Sequence, residues 1–448
     1  KNIMMRSLFS GVSGIKTHQT RLDVSGNNIS NVNTVGYKSQ SVNFKDVYYQ
    51  TTQTATGPNA ETGKGGTNAM QIGLGSSVGS ISTSTTQGAT ERTDDPYDLC
   101  LSGESYFIVS NSGSTYFTRA GDFTVDANGA LVTSGGANVM GWQVDDDGNV
   151  IKDQVSALHV TSPEFTYTSP TATAGISLSG NIKNQDSDAQ NFTIYFYDSV
   201  GNEYQASVTA KYSDTTGAES HYTITGGTIT KNGVATGLTL TASGDFTFNA
   251  NNGVAMEAMS NLYFTIEDPN GTNPIDLENI GVAEGNERRI YIDASQMTSY
   301  NSSTKIESSR GITGDGTDAK PSRVAGKAAG KMTSVGVDSS GHLVASYNNG
   351  DVRYIGQIAV ATFANAAGLE KTGENLYSAT LNSGTFDGIG VDVSTTGGSI
   401  TSGYLEMSNV DLSSEFTTLI TTQRGYQASS RIITVSDTLL EELINLKR

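Results

Sequence analysis

Residue types that catalyse reactions or hold metals are sparse in this chain, and nothing in their spacing brings them together. The four histidines, His18, His159, His221 and His342, fall on a helix flank, in strand patterns and in a hairpin turn. None belongs to an HExxH pair, and the chain has no Walker loop. Cys100 sits in Leu99-Cys100-Leu101, between apolar neighbours, as a small buried residue does. A single cysteine excludes an intrachain disulfide framework and any CxxC zinc or redox motif. Asp145 to Asn149 carries the carboxylates of a calcium loop but lacks the EF-hand spacing and the downstream bidentate Glu, so it reads as a turn. Gly63-Lys64-Gly65-Gly66 lacks the strand–loop–helix setting of a phosphate cradle. No catalytic, cofactor or metal-ligand set emerges, and the expectation is a protein that is not an enzyme and needs no cofactor.

The regular spacing in this sequence is apolar, and it lies at the two ends. Near the amino end Leu8, Ile15, Leu22 and Ile29 recur every seven residues, with Val12, Gln19 and Gly26 on the alternate seam. Near the carboxyl end Leu412, Leu419, Tyr426, Ile433 and Leu440 form a second heptad series, joined by Phe416 and Ile444, with Gln423, Ser430 and Asp437 between. Such repeats indicate coiled-coil faces. Asp411 is placed to cap the second helix, with Glu415 in its first turn. No third helical pattern is present for these two to bundle with. They are expected to pair with each other and with copies from other chains, the polar seam residues Gln19, Gln423 and Asp437 fixing the register.

Between the ends the chain reads as strands and turns. At 448 residues it has room for about three domains at ~150 residues each. It holds 51 glycines and 7 prolines, and 16% of its residues are charged, a mix suited to short strands joined by tight turns. One hairpin signature repeats: Val125-Asp126-Ala127-Asn128-Gly129, Val144 to Gly148, Val337 to Gly341, and the related Tyr197 to Gly201. In each, Asp opens the turn and Gly supplies the positive φ that closes it. The Thr/Gly/Asn-rich stretch after residue 50 shows no periodicity and reads as an extended linker. The expected organisation is mainly β, with two discontinuous, nested β domains. Residues 76–150 and 322–408 form a middle domain, 151–321 an inserted outer domain and 33–75 the linker. The terminal helices, 1–32 and 409–448, form a coiled-coil-like inner layer.

A net charge of −18 argues against nucleic acid, whose phosphates it would repel. The sequence has no run of about 18 apolar residues and so no membrane-spanning helix. Its first 30 residues lack the apolar core and cleavage site of a secretory signal.

Leu8 to Ile15 followed by Gly26-Asn27-Asn28-Ile29-Ser30-Asn31-Val32-Asn33-Thr34-Val35-Gly36-Tyr37-Lys38 closely resembles the signature of bacterial flagellar rod and hook proteins. Asn409 to Ser413, Thr422-Gln423-Arg424-Gly425-Tyr426-Gln427-Ala428, Ile355 to Asn365 and Gly373 to Tyr377 resemble the same family. The resemblance covers both termini and the flanking β regions, over half the chain. Two features are less typical of it: the Lys-rich link Lys320 to Lys331, and Cys100, where the family often has a small apolar residue. The large insert, opening at Gly175 to Ile182 and nearing its end at Ala294 to Tyr300, resembles the outer domain of the hook branch.

The resemblance implies a subunit of a curved, flexible tube, a universal joint that passes motor torque to the filament around an axial export channel. It implies self-assembly into a helical homopolymer. Other implied partners are the distal rod, hook cap and hook-filament junction proteins and the flagellar type III export apparatus. The expected location is outside the cell, reached without a cleaved signal peptide and without membrane insertion. The expected assembly residues are the terminal seams Leu8, Val12, Ile15, Leu22, Ile29, Leu412, Phe416, Leu419, Tyr426, Ile433, Leu440 and Ile444. Asn28, Asn31, Asn33 and Gly36 are expected to end the first helix and turn the chain outward. Two other readings are a distal rod subunit, disfavoured by the insert, and a secreted β-rich adhesin or surface-layer protein, which leaves the matched heptads unexplained.

Overall fold

The computed structural model describes residues 2–445 except 59–62, 64, 146–147, 257–258, 260–261, 270, 272–277, 285–286 and 310–325. Asp146, Asp147, Lys64 and Lys320 to Arg323 of the polar link therefore lie outside the described residues. The chain is mainly β between two long helices, α1 (Asn2–Ser30) and α2 (Leu412–Asn445). At ~1.5 Å per residue, the 34 residues of α2 span about 51 Å. Asp411 caps it as expected, its carboxylate accepting from the Ser413 amide at 2.9 Å.

The chain forms two compact units. The first comprises residues 1–162, 335–344 and 353–448, the second 163–334 and 345–352. Residues 151–162 thus belong with the first unit, although the sequence grouped them with the insert. Ser156–Ala157 pairs with Asn138–Trp142, and the apolar Leu158 and Val160 are fully buried. The sequence cue was the turn near Val150, but a turn inside a sheet looks the same as one between domains.

In the first unit Tyr106–Asn111 and Ser114–Thr118 form a hairpin. Asn138–Trp142 flanks it on one side and Leu376–Ser378 on the other. The core beneath holds Ile108, Phe117, Trp142 and Tyr377, with Phe117 edge-on to Phe363 at 4.8 Å. The second unit is an antiparallel sheet apart from Gly175–Asn181, which runs parallel to Glu287–Thr298. Glu203–Thr216 alternates buried and exposed residues along its first half, so one face covers a core that includes Phe196, Tyr222, Phe248 and Phe264.

Each of the four repeated turns closes as its sequence implies. Asp126, Asp145, Asp198 and Asp338 each accept from an amide four residues on, at 2.7–2.8 Å. The closing glycines have φ between 79° and 91°.

The described residues of the segment 33–75 are more ordered than an extended linker. They turn at Gly36 and then pair on themselves and with the following strand as a narrow ribbon. Gln40–Asp46 pairs with Ser76–Thr83, and Tyr49–Gln53 with Met70–Gly73. Every residue of the outer pair is exposed, so neither face imposes the apolar alternation that announces a strand.

Candidate assembly surface and its anchor

α1 and α2 lie antiparallel, each step up α1 matched by an equal step down α2. Ser7 faces Ser436 with hydroxyls 3.3 Å apart, Gly14 faces Ser429, His18 faces Gly425, and Asn28 donates to Glu415 Oε1 at 2.8 Å. The contact is made by small residues. A Cβ added at Gly14 would stand 2.8 Å from Ser429 Oγ, and one at Gly425 2.5 Å from the His18 ring. Thr422 and Ser436, on the same face of α2, are buried. Close helix approach of this kind leaves no room for leucines between the axes.

The large apolar side chains of α2 are therefore left outside. Leu412, Phe416, Ile420, Tyr426, Ile432, Val435, Leu439 and Ile444 are all exposed, Phe416 at 51% and Ile444 at 67%. On α1, Phe9 and Val12 are exposed too. A helix this long carrying so much exposed apolar surface marks an interaction face.

Where the helices meet the β body, the chain makes a polar knot. Asn28 is fully buried: its Nδ2 donates to the Gln40 carbonyl at 2.8 Å, and its Oδ1 accepts from the Gln40 amide at 3.0 Å and Tyr37 OH at 3.1 Å. Gly36 then turns the chain at φ 67°, its amide donating to the Glu406 carbonyl at 2.7 Å. A Cβ there would meet the Ala120 amide nitrogen at 2.5 Å, so only glycine fits. Beyond it Lys38 Nζ reaches Glu406 Oε1 at 2.7 Å, and Arg119 Nε reaches Glu406 Oε2 at 3.0 Å. All three side chains are at most 2% exposed.

Lys38 also donates to the Thr86 carbonyl at 2.8 Å, and the Gly88 amide donates to Glu406 Oε1 at 2.9 Å. Asn409 closes the knot: its Oδ1 accepts from the Ser39 amide at 2.7 Å, and its Nδ2 donates to the Ser84 and Thr86 carbonyls. The segments entering α2 and leaving α1 are thereby fastened to one ionic centre.

Burial sets the electrostatics of this centre. It holds Lys38 below the ordinary lysine range, although the bond to Glu406 pulls the other way. Burial and then Glu406 push the Cys100 thiol up, so it packs as an inert apolar residue. Lys371 is brought down to about 8 by burial, and its Nζ donates to the Lys38 carbonyl at 2.8 Å over the Tyr37 ring.

Three sequence profiles match the chain. "Flagella basal body rod protein" matches residues 8–38, "Flagellar hook protein FlgE/F/G D1 domain" residues 100–194, and "Flagellar basal body rod FlgEFG protein C-terminal" residues 401–446. Flagellar hook protein FlgE of Treponema pallidum (strain Nichols) is 34% identical over 99% of this chain and 100% of its own length. The same protein of Borreliella burgdorferi is also 34% identical at the same coverage. The chain belongs to the flagellar hook protein FlgE family. Flagellar basal-body rod protein FlgG of Bacillus subtilis (strain 168) is 31% identical over 99% of the chain, so the likeness extends to the rod as well. This subunit is therefore an axial structural protein of hook/rod type.

In this hook-family chain the expected seam residues divide by exposure. Leu8, Ile15, Leu22, Ile29, Leu419, Ile433 and Leu440 are half-buried, while Val12, Leu412, Phe416, Tyr426 and Ile444 are exposed. Ile433 reaches Gly11 of α1, whose added Cβ would stand 3.1 Å from its Cγ1. The polar residues Gln19, Gln423 and Asp437 are exposed and do not key α1 to α2. That pairing is keyed by Ser7, Gly11, Gly14, Gly425 and Ser429. Gly26 has open space where its Cβ would be.

Of the turn residues, Asn28 is the buried centre of the knot. Asn31 Nδ2 bonds the Asn27 carbonyl at 2.9 Å, Asn33 is exposed, and Gly36 makes the turn. Sequence reasoning missed Glu406, Arg119 and Asn409. Their partners lie hundreds of residues away, and a lone Glu in a strand carries no sign that it will be buried.

Proposed function

We propose that this chain is the hook subunit itself. Many copies stack into a curved, flexible tube that transmits motor torque to the filament around an axial export channel. The terminal helices, 1–32 and 409–448, line the tube as its inner layer. The β segments flanking the insert form the middle domain, and the insert forms the outer domain. The observation that carries this reading is the division of α2: small residues face α1, and large apolar residues are left outside. Neighbouring copies cover that apolar surface through the seam residues Leu412, Phe416, Leu419, Tyr426, Ile433, Leu440 and Ile444, with Leu8, Val12, Ile15, Leu22 and Ile29 on α1. Burial at ~25 cal/mol per Å² of apolar surface drives the stacking.

Copies of the same chain are the principal partner. The distal rod, hook cap and hook-filament junction proteins meet the ends of the tube, and the flagellar type III export apparatus delivers subunits to a site outside the cell surface. The subunit has a structural role and is not an enzyme. The identity to the two hook relatives, 34% against 31% for the rod relative, supports hook over rod, whereas the insert does not separate them, since the rod relative aligns over 99% of this chain. Removal of 1–32 and 409–448 tests the assignment. The truncated chain stays folded and monomeric and forms no tubes under the electron microscope. Tubes from the truncated chain would refute the inner-layer role.

A further inference from the structure

We propose that His18 is an acid-sensitive latch, holding α1, α2 and the ribbon together while its imidazole is neutral and releasing them when it is protonated. The ring sits where all three elements meet. On α2 it lies against Gly425, where an added Cβ would come within 2.5 Å of His18 Cε1. On the ribbon Phe44 meets it edge-on, with centroids 5.5 Å apart and planes at 87°. Nδ1 is buried and has no hydrogen-bond partner among the described residues. Whichever nitrogen carries the hydrogen of the neutral ring, the second proton leaves Nδ1 as a charged, buried and unpartnered N–H. Such a group is costly in an apolar junction.

The charged neighbour acting on the ring is Arg21, on its own helix, with its guanidinium 5.6 Å from the Phe44 centroid. On α2 the residues flanking Gly425, Arg424 and Tyr426, are exposed, and Arg424 bonds Gln427. On the ribbon Lys45 and Asp46 are exposed. Among the described residues no carboxylate acts on the ring to offset the charge. Burial first, and Arg21 second, hold this imidazole below its ordinary value. The opened state therefore binds the proton more readily. Docking is at full strength above the free-imidazole value of about 6.5 and weakens as pH falls below it.

Hydrogen exchange on the full-length monomer from pH 7.5 to 5.0, corrected for intrinsic rates, tests this. Protection across 8–30 and 412–436 is expected to fall about tenfold for each unit by which the fold excludes the proton. In His18→Gln that additional loss disappears. Carboxylates titrate in both chains, so the difference between the two slopes is the readout, and it survives if the variant docks less tightly at every pH. NMR titration of the His18 ring gives a second measure, with a midpoint below 6.5, the loss of protection running from about 6.5 down to that midpoint. Equal slopes in the two chains, or a ring that titrates at its ordinary value without loosening the helices, would overturn the latch.

Discussion

Replacing Glu406 with Gln removes the one anion of a buried centre holding two cations. Lys38 and Arg119 would remain at 1% and 2% side-chain exposure, and both direct bonds to the carboxylate would lose their charge. Stripping one partner from a buried pair costs about 3–5 kcal/mol, because the charges left behind stay desolvated. The reverse change is expected to be mild. Lys38→Met leaves Glu406 paired with Arg119 as a neutral couple. Burial already holds Lys38 below its ordinary range, which means that its charge is carried at net cost in the fold. A lysine of lowered folded pKa destabilises the fold at neutral pH, and the penalty is relieved as pH rises through the folded value. The loss in Lys38→Met is then one hydrogen bond at the Thr86 carbonyl, which keeps Asn409, and one at Glu406 Oε1, which keeps the Gly88 amide, about 1–2 kcal/mol in all.

The assay is thermal and urea unfolding of the monomeric chain followed by Trp142, the single tryptophan, which is buried in the same unit as the centre. Glu406→Gln should lower the melting temperature of that unit by roughly 10 °C, at about 2–4 °C per kcal/mol for a domain of this order of size. Equal losses in the two variants, or a Glu406→Gln protein within about 1 kcal/mol of the parent, would refute the account of the anchor.

Phe416→Asp and Ile420→Asp place a charge on the exposed flank of α2. Each should change monomer stability by no more than about 0.5 kcal/mol, yet abolish tube formation and leave subunits in the medium. Normal tubes from either chain would show that this flank faces solvent in the assembly. Residues 175–309 can be excised with a short Gly/Ser joint, because Gly175–Asn181 and Lys305–Ser309 run side by side. Electron microscopy of that deletion should show tubes that are straight, and wild-type curvature would remove the outer domain's role in setting shape.

The terminal helices were legible because a heptad of leucines and isoleucines is a local signal, as were Asp411 at the cap and Gly36 at the turn. The partner of each helix face was not legible. Apolar spacing suggested that the leucine stripe joins α1 to α2, whereas the join is made by Ser7, Gly11, Gly14, Gly425 and Ser429. Small residues give a weak periodic signal, since glycine and serine occur everywhere in this composition. The ribbon was hidden for the opposite reason: strands exposed on both faces carry no alternation to read. The ionic centre was invisible because burial of Lys38, Arg119 and Glu406 is decided by pairings across 287 and 368 residues.

The observed seam with α1 and the proposed seam between copies would answer different mechanical needs. A contact of glycines, serines and threonines brings two helix axes close and sets a short, register-specific spacing, so the pair moves as one rod. In the proposed tube, contacts between copies through the exposed Phe416, Ile420, Ile432, Val435 and Leu439 would be larger and less directional, each side chain they bury contributing about 1.5–3 kcal/mol. Apolar side chains can re-pack over small displacements without leaving a hydrogen bond unmade, whereas a polar key cannot. A subunit with a stiff internal pair and an apolar outside can shift against its neighbours while keeping its own shape. That is the property a bending tube requires of its inner wall, and it predicts that stiffness follows the seam between copies. Val435→Asn together with Leu439→Asn, which add polar keys to that seam, should yield tubes that are less flexible or do not form. Tubes of unchanged flexibility, measured as persistence length in electron micrographs, would show that bending is accommodated elsewhere.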